Sequence, residues 1–189
     1  MGLVVVLAVL IVLAFLVIIS IYNGLVSLKV QAENAWADID VQLKRRHDLI
    51  PNVVETVKGY AAHEKGTLEG VISARNRAIA AQGPAAQGEA EGMLSGALRQ
   101  LFALSEAYPQ LRAVESFTSL QKTLADIEDT LQNARRYYNA VVRDFNTKIE
   151  QFPSNVVAGM FGFKEREFFE LKDAGERETP KVSFDAKPA

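Results

Sequence analysis

The 189-residue chain contains no cysteine, only two histidines and only one tryptophan. Without thiols there can be no disulfide, no thiolate metal site and no thiol nucleophile. Charge is absent too, but only at one end: no acidic or basic side chain precedes Lys29. Further on, 21 Lys and Arg are interspersed with 23 Asp and Glu, and no basic block forms the footprint that nucleic acid needs.

Other routes to chemistry are equally thin. His63-Glu64 opens like a zinc-protease helix, but Thr67 stands where the second histidine belongs. Di-iron bundles place Glu three residues before His, and Lys44 and Tyr60 hold those places here. Gly159-Met160-Phe161-Gly162 lacks the lysine of a phosphate-binding loop. His47, beside Lys44, Arg45 and Arg46, reads as a cation near a helix C-terminus. Carboxylates such as Glu128 and Asp129 read as a solvated face. No catalytic, cofactor-binding or metal-binding residue is assigned. The expectation is a chain that is no enzyme, needs no cofactor and has no small-molecule substrate.

What the chain does have is a leading apolar run. Leu3 to Ile19 is aliphatic apart from one Phe, and with Ser20 and Ile21 it reaches roughly the 20 residues that cross a bilayer core. Only the α-amino group is positive ahead of it, and Ser20-Ile21-Tyr22-Asn23-Gly24 offers no small-residue cleavage pattern. Residues 1–23 are therefore read as an uncleaved transmembrane anchor. Lysine and arginine lie only on its far side, which favours a bundle in the cytoplasm.

Residues 24–155 read as four amphipathic helices. From Leu25 the stripe runs Leu28, Ala32, Ala35, Ile39, Leu43, with a reversal expected at Pro51 rather than a kink. A second helix buries Val53, Val54, Val57, Ala61, Leu68, Val71, Ile72 and Ile79 and stops at Gln82-Gly83-Pro84. A third carries Met93, Leu94, Ala97, Leu98, Leu101 and Leu104 and closes at Tyr108-Pro109. The fourth runs from a Ser116 cap through Phe117, Leu120, Leu124, Ile127, Leu131, Ala134, Tyr138, Val141, Phe145, Ile149 and Phe152, alternating by three and four, to a stop at Phe152-Pro153. The expected fold is all-α, a transmembrane helix continuing into an elongated antiparallel up-down-up-down four-helix bundle.

In that order the fourth helix returns to the membrane. Residues 156–189 are then an apolar juxtamembrane segment and a charged, disordered tail. Phe161 and Phe163 either dip into lipid or fold back on the bundle, and Phe168-Phe169 is a last apolar foothold. Asn139 and Asn146, seven apart with Arg135 ahead of them, read as register-fixing polar residues with Arg46, Gln42 and Asn52 as partners across the bundle. On that reading Asn146→Leu would raise the melting temperature.

Taken together, certain segments resemble the bacterial LemA family. They are Tyr22-Asn23, Ala35-Trp36 through Arg46, Leu49-Ile50-Pro51-Asn52, Val57-Lys58-Gly59-Tyr60 and Glu106-Ala107-Tyr108-Pro109. Ala134-Arg135, Tyr138-Asn139, Phe145-Asn146 and Phe152-Pro153-Ser154-Asn155 complete the set, which leaves the charged tail outside. The resemblance implies a single-span bacterial membrane protein built on long helices, with no established catalytic function; one member is associated with magnetosome membranes. The combined expectation is a scaffold or assembly factor at the bacterial inner membrane. Its partners would be the lipid bilayer, further copies of itself and an unknown membrane protein. The alternative is a regulatory or sensory subunit of a membrane enzyme such as a protease.

Overall fold

Helix α1, Gly2–Lys58, runs for 57 residues from the apolar leader into the packed body without interruption. At 1.5 Å per residue that is about 85 Å. The computed structural model describes residues 1–170; the disordered tail expected after Phe169 falls almost wholly at 171–189, outside the described residues. The other elements are α2 (Lys65–Ala80), α3 (Pro84–Ala107), α4 (Pro109–Arg112), α5 (Glu115–Glu150) and α6 (Ser154–Phe161). No strand occurs among the described residues. The leader is long and apolar enough to cross a membrane, and its side chains are exposed to the surroundings.

Pro51 neither reverses the chain nor ends the helix; the expected turn falls instead at residues 59–64. A proline inside a helix removes the N–H that would bond the carbonyl four residues back. That carbonyl belongs to His47, and Arg75 of α2 donates its Nε–H to it at 2.7 Å. A tertiary hydrogen bond thus replaces the helical one, and the helix passes through.

The packing of α1 against α5 follows two seven-residue series. On α5 the buried residues Phe117, Leu124, Leu131, Tyr138 and Phe145 are spaced by sevens, and on α1 so are Leu25, Ala32, Ile39, Arg46 and Val53. A sustained seven-residue repeat keeps one seam facing a partner helix. Leu25 shares a cluster with Phe145, Ile39 with Leu131 and Tyr138, and Val53 with Phe117 and Leu124, so the two helices run antiparallel. Because α2 and α3 are short, they join only at the far end, where Val71, Leu94, Leu98 and Leu101 complete a four-helix core with α1 and α5. Nearer the apolar leader the seam is covered differently. In the middle Phe169 fills it, and at the base Val157 and Ala158 of α6 pack on Leu25 and Phe145. Packing thus continues past residue 155, where the bundle was expected to end, as far as Phe169.

Several expected stripe residues face outward. Ile72, Ile79 and Met93 are exposed, and Phe152 is 83 % exposed in the bend after α5. Ile72, Ile79 and Met93 lie off the narrow seam used by their helices, whereas Phe152 would continue the α5 series but comes after the helix has ended at Glu150. The α5 cap position is Val114, not Ser116.

The Pro51–Arg75 compensation makes a testable cycle. Arg75→Met should strand a carbonyl and destabilise the full-length protein by about 1–3 kcal/mol, read as a lower melting midpoint in detergent. With Pro51→Ala in the same chain the helix regains its own N–H, and the effect of Arg75→Met should largely vanish.

Candidate functional site

Three arrangements of polar or aromatic side chains stand out, spread along the α1–α5 seam. The first lies where the four-helix core begins. Arg46 continues the Leu25–Ala32–Ile39 series and is only 4 % exposed, yet it carries a full charge. Its Nη1 lies 3.1 Å from Glu91 Oε2 of α3, and its Nη2 donates to Ser95 Oγ at 2.7 Å. Glu128 of α5 brings Oε2 within 3.1 Å of the same Nη1, an ion pair without an aligned hydrogen bond. The solvated role expected for Glu128 is therefore wrong, because α5 turns it towards a buried cation.

Glu91 is fully buried. Its Oε1 lies 2.7 Å from His47 Nε2 and accepts from Gln87 Nε2 at 3.0 Å. Gln87 also donates to the Ala78 carbonyl at 3.0 Å, which ties in α2. One carboxylate thus gathers groups from α1 and α3 directly and from α2 and α5 at one remove. His47 is a buried member of this centre, inside α1 and not at a helix end.

The second arrangement is an extended strap, residues 163–170, laid along the seam after α6. Asn146 Nδ2 donates to the Arg166 carbonyl and Oδ1 accepts the Arg166 N–H, both at 2.9 Å. Asn139 grips Phe169 in the same two-pronged way, at 3.0 and 2.9 Å. The partners expected for these asparagines, Arg46, Gln42 and Asn52, are not the ones used. The spacing explains the fit: seven residues of helix rise about 10.5 Å, and three residues of extended chain cover about 10 Å. Between the two clamps Tyr138 donates its hydroxyl to the Glu167 carbonyl at 2.9 Å. Burial first of all, with Glu167 adding to it and Arg166 opposing, raises the Tyr138 phenol above the usual tyrosine value and keeps it a donor. Phe169 then inserts beside Trp36, ring centroids 5.8 Å apart, and Trp36 lies 5.5 Å from Tyr138. The strap ends against Gly88 of α3, where a Cβ would come within 2.1 Å of the Glu170 carbonyl oxygen. Only glycine admits the chain there.

The third arrangement lies at the end of the apolar run. Tyr22 packs on Phe161 and Phe163 at centroid distances of 4.7 and 5.8 Å. Helix α6 is divided: Val157 and Ala158 are buried, while Val156, Met160 and Phe161 stay exposed. Phe163 is half-buried against the base of the seam. Gly24, on the opposite side of α1, lies under the Lys148 ammonium group, which a Cβ would displace.

Comparison with known proteins identifies the chain. The LemA family pattern matches residues 35–184, most of its length. The chain belongs to the LemA family. It is 28 % identical to magnetosome protein MamQ 2 of Paramagnetospirillum magneticum over 90 % of this chain and 73 % of that protein. Magnetosome protein MamQ of Magnetospirillum gryphiswaldense is 25 % identical over 88 % and 72 %. Protein LemA of Metamycoplasma hominis is 26 % identical over 68 % and 59 %. The family match extends to residue 184 and so takes in charged residues that the motif set left out.

The LemA-like motif residues do not converge on one place. Arg46 enters the buried centre; Trp36, Tyr138, Asn139 and Asn146 hold the strap. Arg135 is half-buried one turn before Asn139, and Asn23, Asn52 and Asn155 are exposed. Tyr108 donates its hydroxyl to Glu64 at 3.0 Å, a bond that raises the phenol's pKa, and Pro109 opens α4. Pro153 caps α6. Glu91, Gln87 and Ser95 escaped the sequence reading. The signal was present: Gln87 and Glu91 precede Leu94, Leu98 and Leu101 at helical spacing, so they prolong a buried stripe.

Two outcomes follow. Arg46→Met leaves Glu91 buried with too few donors and should cost the full-length protein about 3–5 kcal/mol; adding Glu91→Met should recover much of that, measured by thermal or denaturant unfolding. Asn146→Leu should destabilise rather than stabilise, by releasing the strap. The lone Trp36 reports this directly, through a shifted emission maximum together with faster proteolysis within residues 163–170.

Proposed function

We propose that this LemA family protein is a non-enzymatic stalk anchored in the bacterial inner membrane. It would hold other proteins at that surface as a scaffold or assembly factor, with its bundle on the cytoplasmic side and further copies of itself as partners. The observation that carries the reading is the continuity of α1. One helix is both the candidate span and the central element of the packed body, so whatever docks on the body is held at a fixed height. The relatives named as magnetosome proteins agree with it, since their names refer to a structure and not to a reaction. The polar centre agrees as well: both oxygens of Glu91 are taken up by side chains of the bundle itself, which suits fastening helices more than turning over a substrate.

A second reading, a regulatory subunit of a membrane enzyme, draws on the strap. A short extended segment held by two asparagines and one aromatic pocket is a contact that a partner protein can compete for.

Extraction in mild detergent, crosslinking and native mass determination separate the two. A large homomeric particle is expected for a scaffold. A stoichiometric foreign protein would favour the regulator. A lone monomer, or a protein that carbonate washes from vesicles, would overturn both.

A further inference from the structure

Where α1 leaves the apolar run, α6 and the strap enclose an open groove of about 600 Å³. Its floor is apolar and aromatic, made by Tyr22, Val26, Phe161 and Phe163. That floor continues the exposed apolar surface of the leader and the outward face of α6. Its rim is charged and unbalanced. Glu33 is paired with Arg166, whereas Lys29 and Lys164 have no ion-pair partner among the described residues. The groove therefore carries two uncompensated positive charges over an apolar floor.

Height matters next. Lys29 lies eight residues beyond Ile21, about 12 Å along the helix, and a headgroup layer is roughly 5–8 Å deep. Side chains on a helix lean towards its N-terminus, here the bilayer. A lysine with an apolar stem readily extends its ammonium group to the interface. Tyrosine is favoured at this boundary, where its ring is apolar and its hydroxyl is wet.

We propose that this groove is a binding site for the phosphate-bearing headgroup of an anionic phospholipid in the leaflet from which α1 emerges. Lys29 and Lys164 pair with the phosphate and net negative charge, while Tyr22, Val26 and Phe161 cover the glycerol backbone and first methylenes. The pairing fixes the rotation of α1 and the depth of α6, which a greasy helix alone leaves free. The proposal rests on the membrane anchoring argued above and adds a lipid preference to it.

The test uses the full-length protein in nanodiscs containing equal phosphatidylglycerol and phosphatidylcholine, followed by extraction and native mass spectrometry of retained lipid. Retained phosphatidylglycerol should exceed phosphatidylcholine. In Lys29→Gln/Lys164→Gln the preference should fall by on the order of tenfold or more, since each basic residue near an anionic surface is worth roughly fivefold. Lys58→Gln/Lys122→Gln, at the far end of the bundle, should keep it. Equal retention of the two lipids by the parent protein, or a preference untouched by the groove variant, overturns the proposal while leaving anchoring intact. Competition by soluble glycerol phosphate at millimolar concentration would also overturn it, by assigning the site to a free phosphate. Loss of the protein from carbonate-washed vesicles sinks anchoring and groove together.

Discussion

An unbroken α1 is the constraint on which the rest of this architecture depends. The principal later elements are placed by where they meet that helix: α5 along it from Leu25 onward, α2 and α3 at the far end, α6 at the base. The weak point is Pro51, where a helix would ordinarily bend or stop because a carbonyl loses its donor. Arg75 supplies that donor from α2. The continuity of the stalk is thus a tertiary property. It exists only once the α2–α3 hairpin has docked, which couples the straightness of α1 to the integrity of the far core.

Between the far core and the base only two of the described helices run side by side, and two helices cannot enclose a seam. The strap solves this with backbone rather than with another helix. Its two asparagine clamps satisfy both backbone groups of residues 166 and 169, so the extended chain leaves fewer polar groups unpaired as Phe169 enters the core. The match between a seven-residue helical step and a three-residue extended step is what allows both clamps to close at once. A shift of the strap by one residue would move both clamps off the backbone groups they hold and bring either Phe168 or the charged Glu170 to the place of Phe169.

Sequence patterning made the long amphipathic stretches, the membrane candidate, the loop at Gly83 and the stop after α5 legible, because regular apolar spacing and proline or glycine joints act locally; the short α4 and α6 carry no such repeat and were not foreseen. What it concealed depends on contacts between distant segments. Pro51 looks like a terminator until Arg75, 24 residues later, is seen beside the freed carbonyl. Asn139 and Asn146 were recognisable as polar residues beside a buried stripe, but their partners are backbone groups, which carry no sequence signature. The pairing of Arg46 with Glu91 was the more readable miss. Each occupies a position where its helix repeat calls for an apolar residue, and a charge at such a place implies an opposite charge elsewhere in the core.

That opposite pair also resolves a degeneracy. The stripes of α1, α2 and α3 consist of similar aliphatic side chains, Ala, Val and Leu among them, and such stripes pack nearly as well after a slip of one heptad. A buried guanidinium does not slip, because only one register brings Glu91, Ser95 and Glu128 to it. The same turn of α3 presents Gly88, against which the strap ends. Gln87, Gly88 and Glu91 therefore join two fastenings, one across the helices and one running down some 23 Å of extended chain to Phe163 and the aromatics at the end of the apolar run. A rotation or tilt of α6 would pull on α3 through that strap, and the ionic centre is the point where the pull would be resisted.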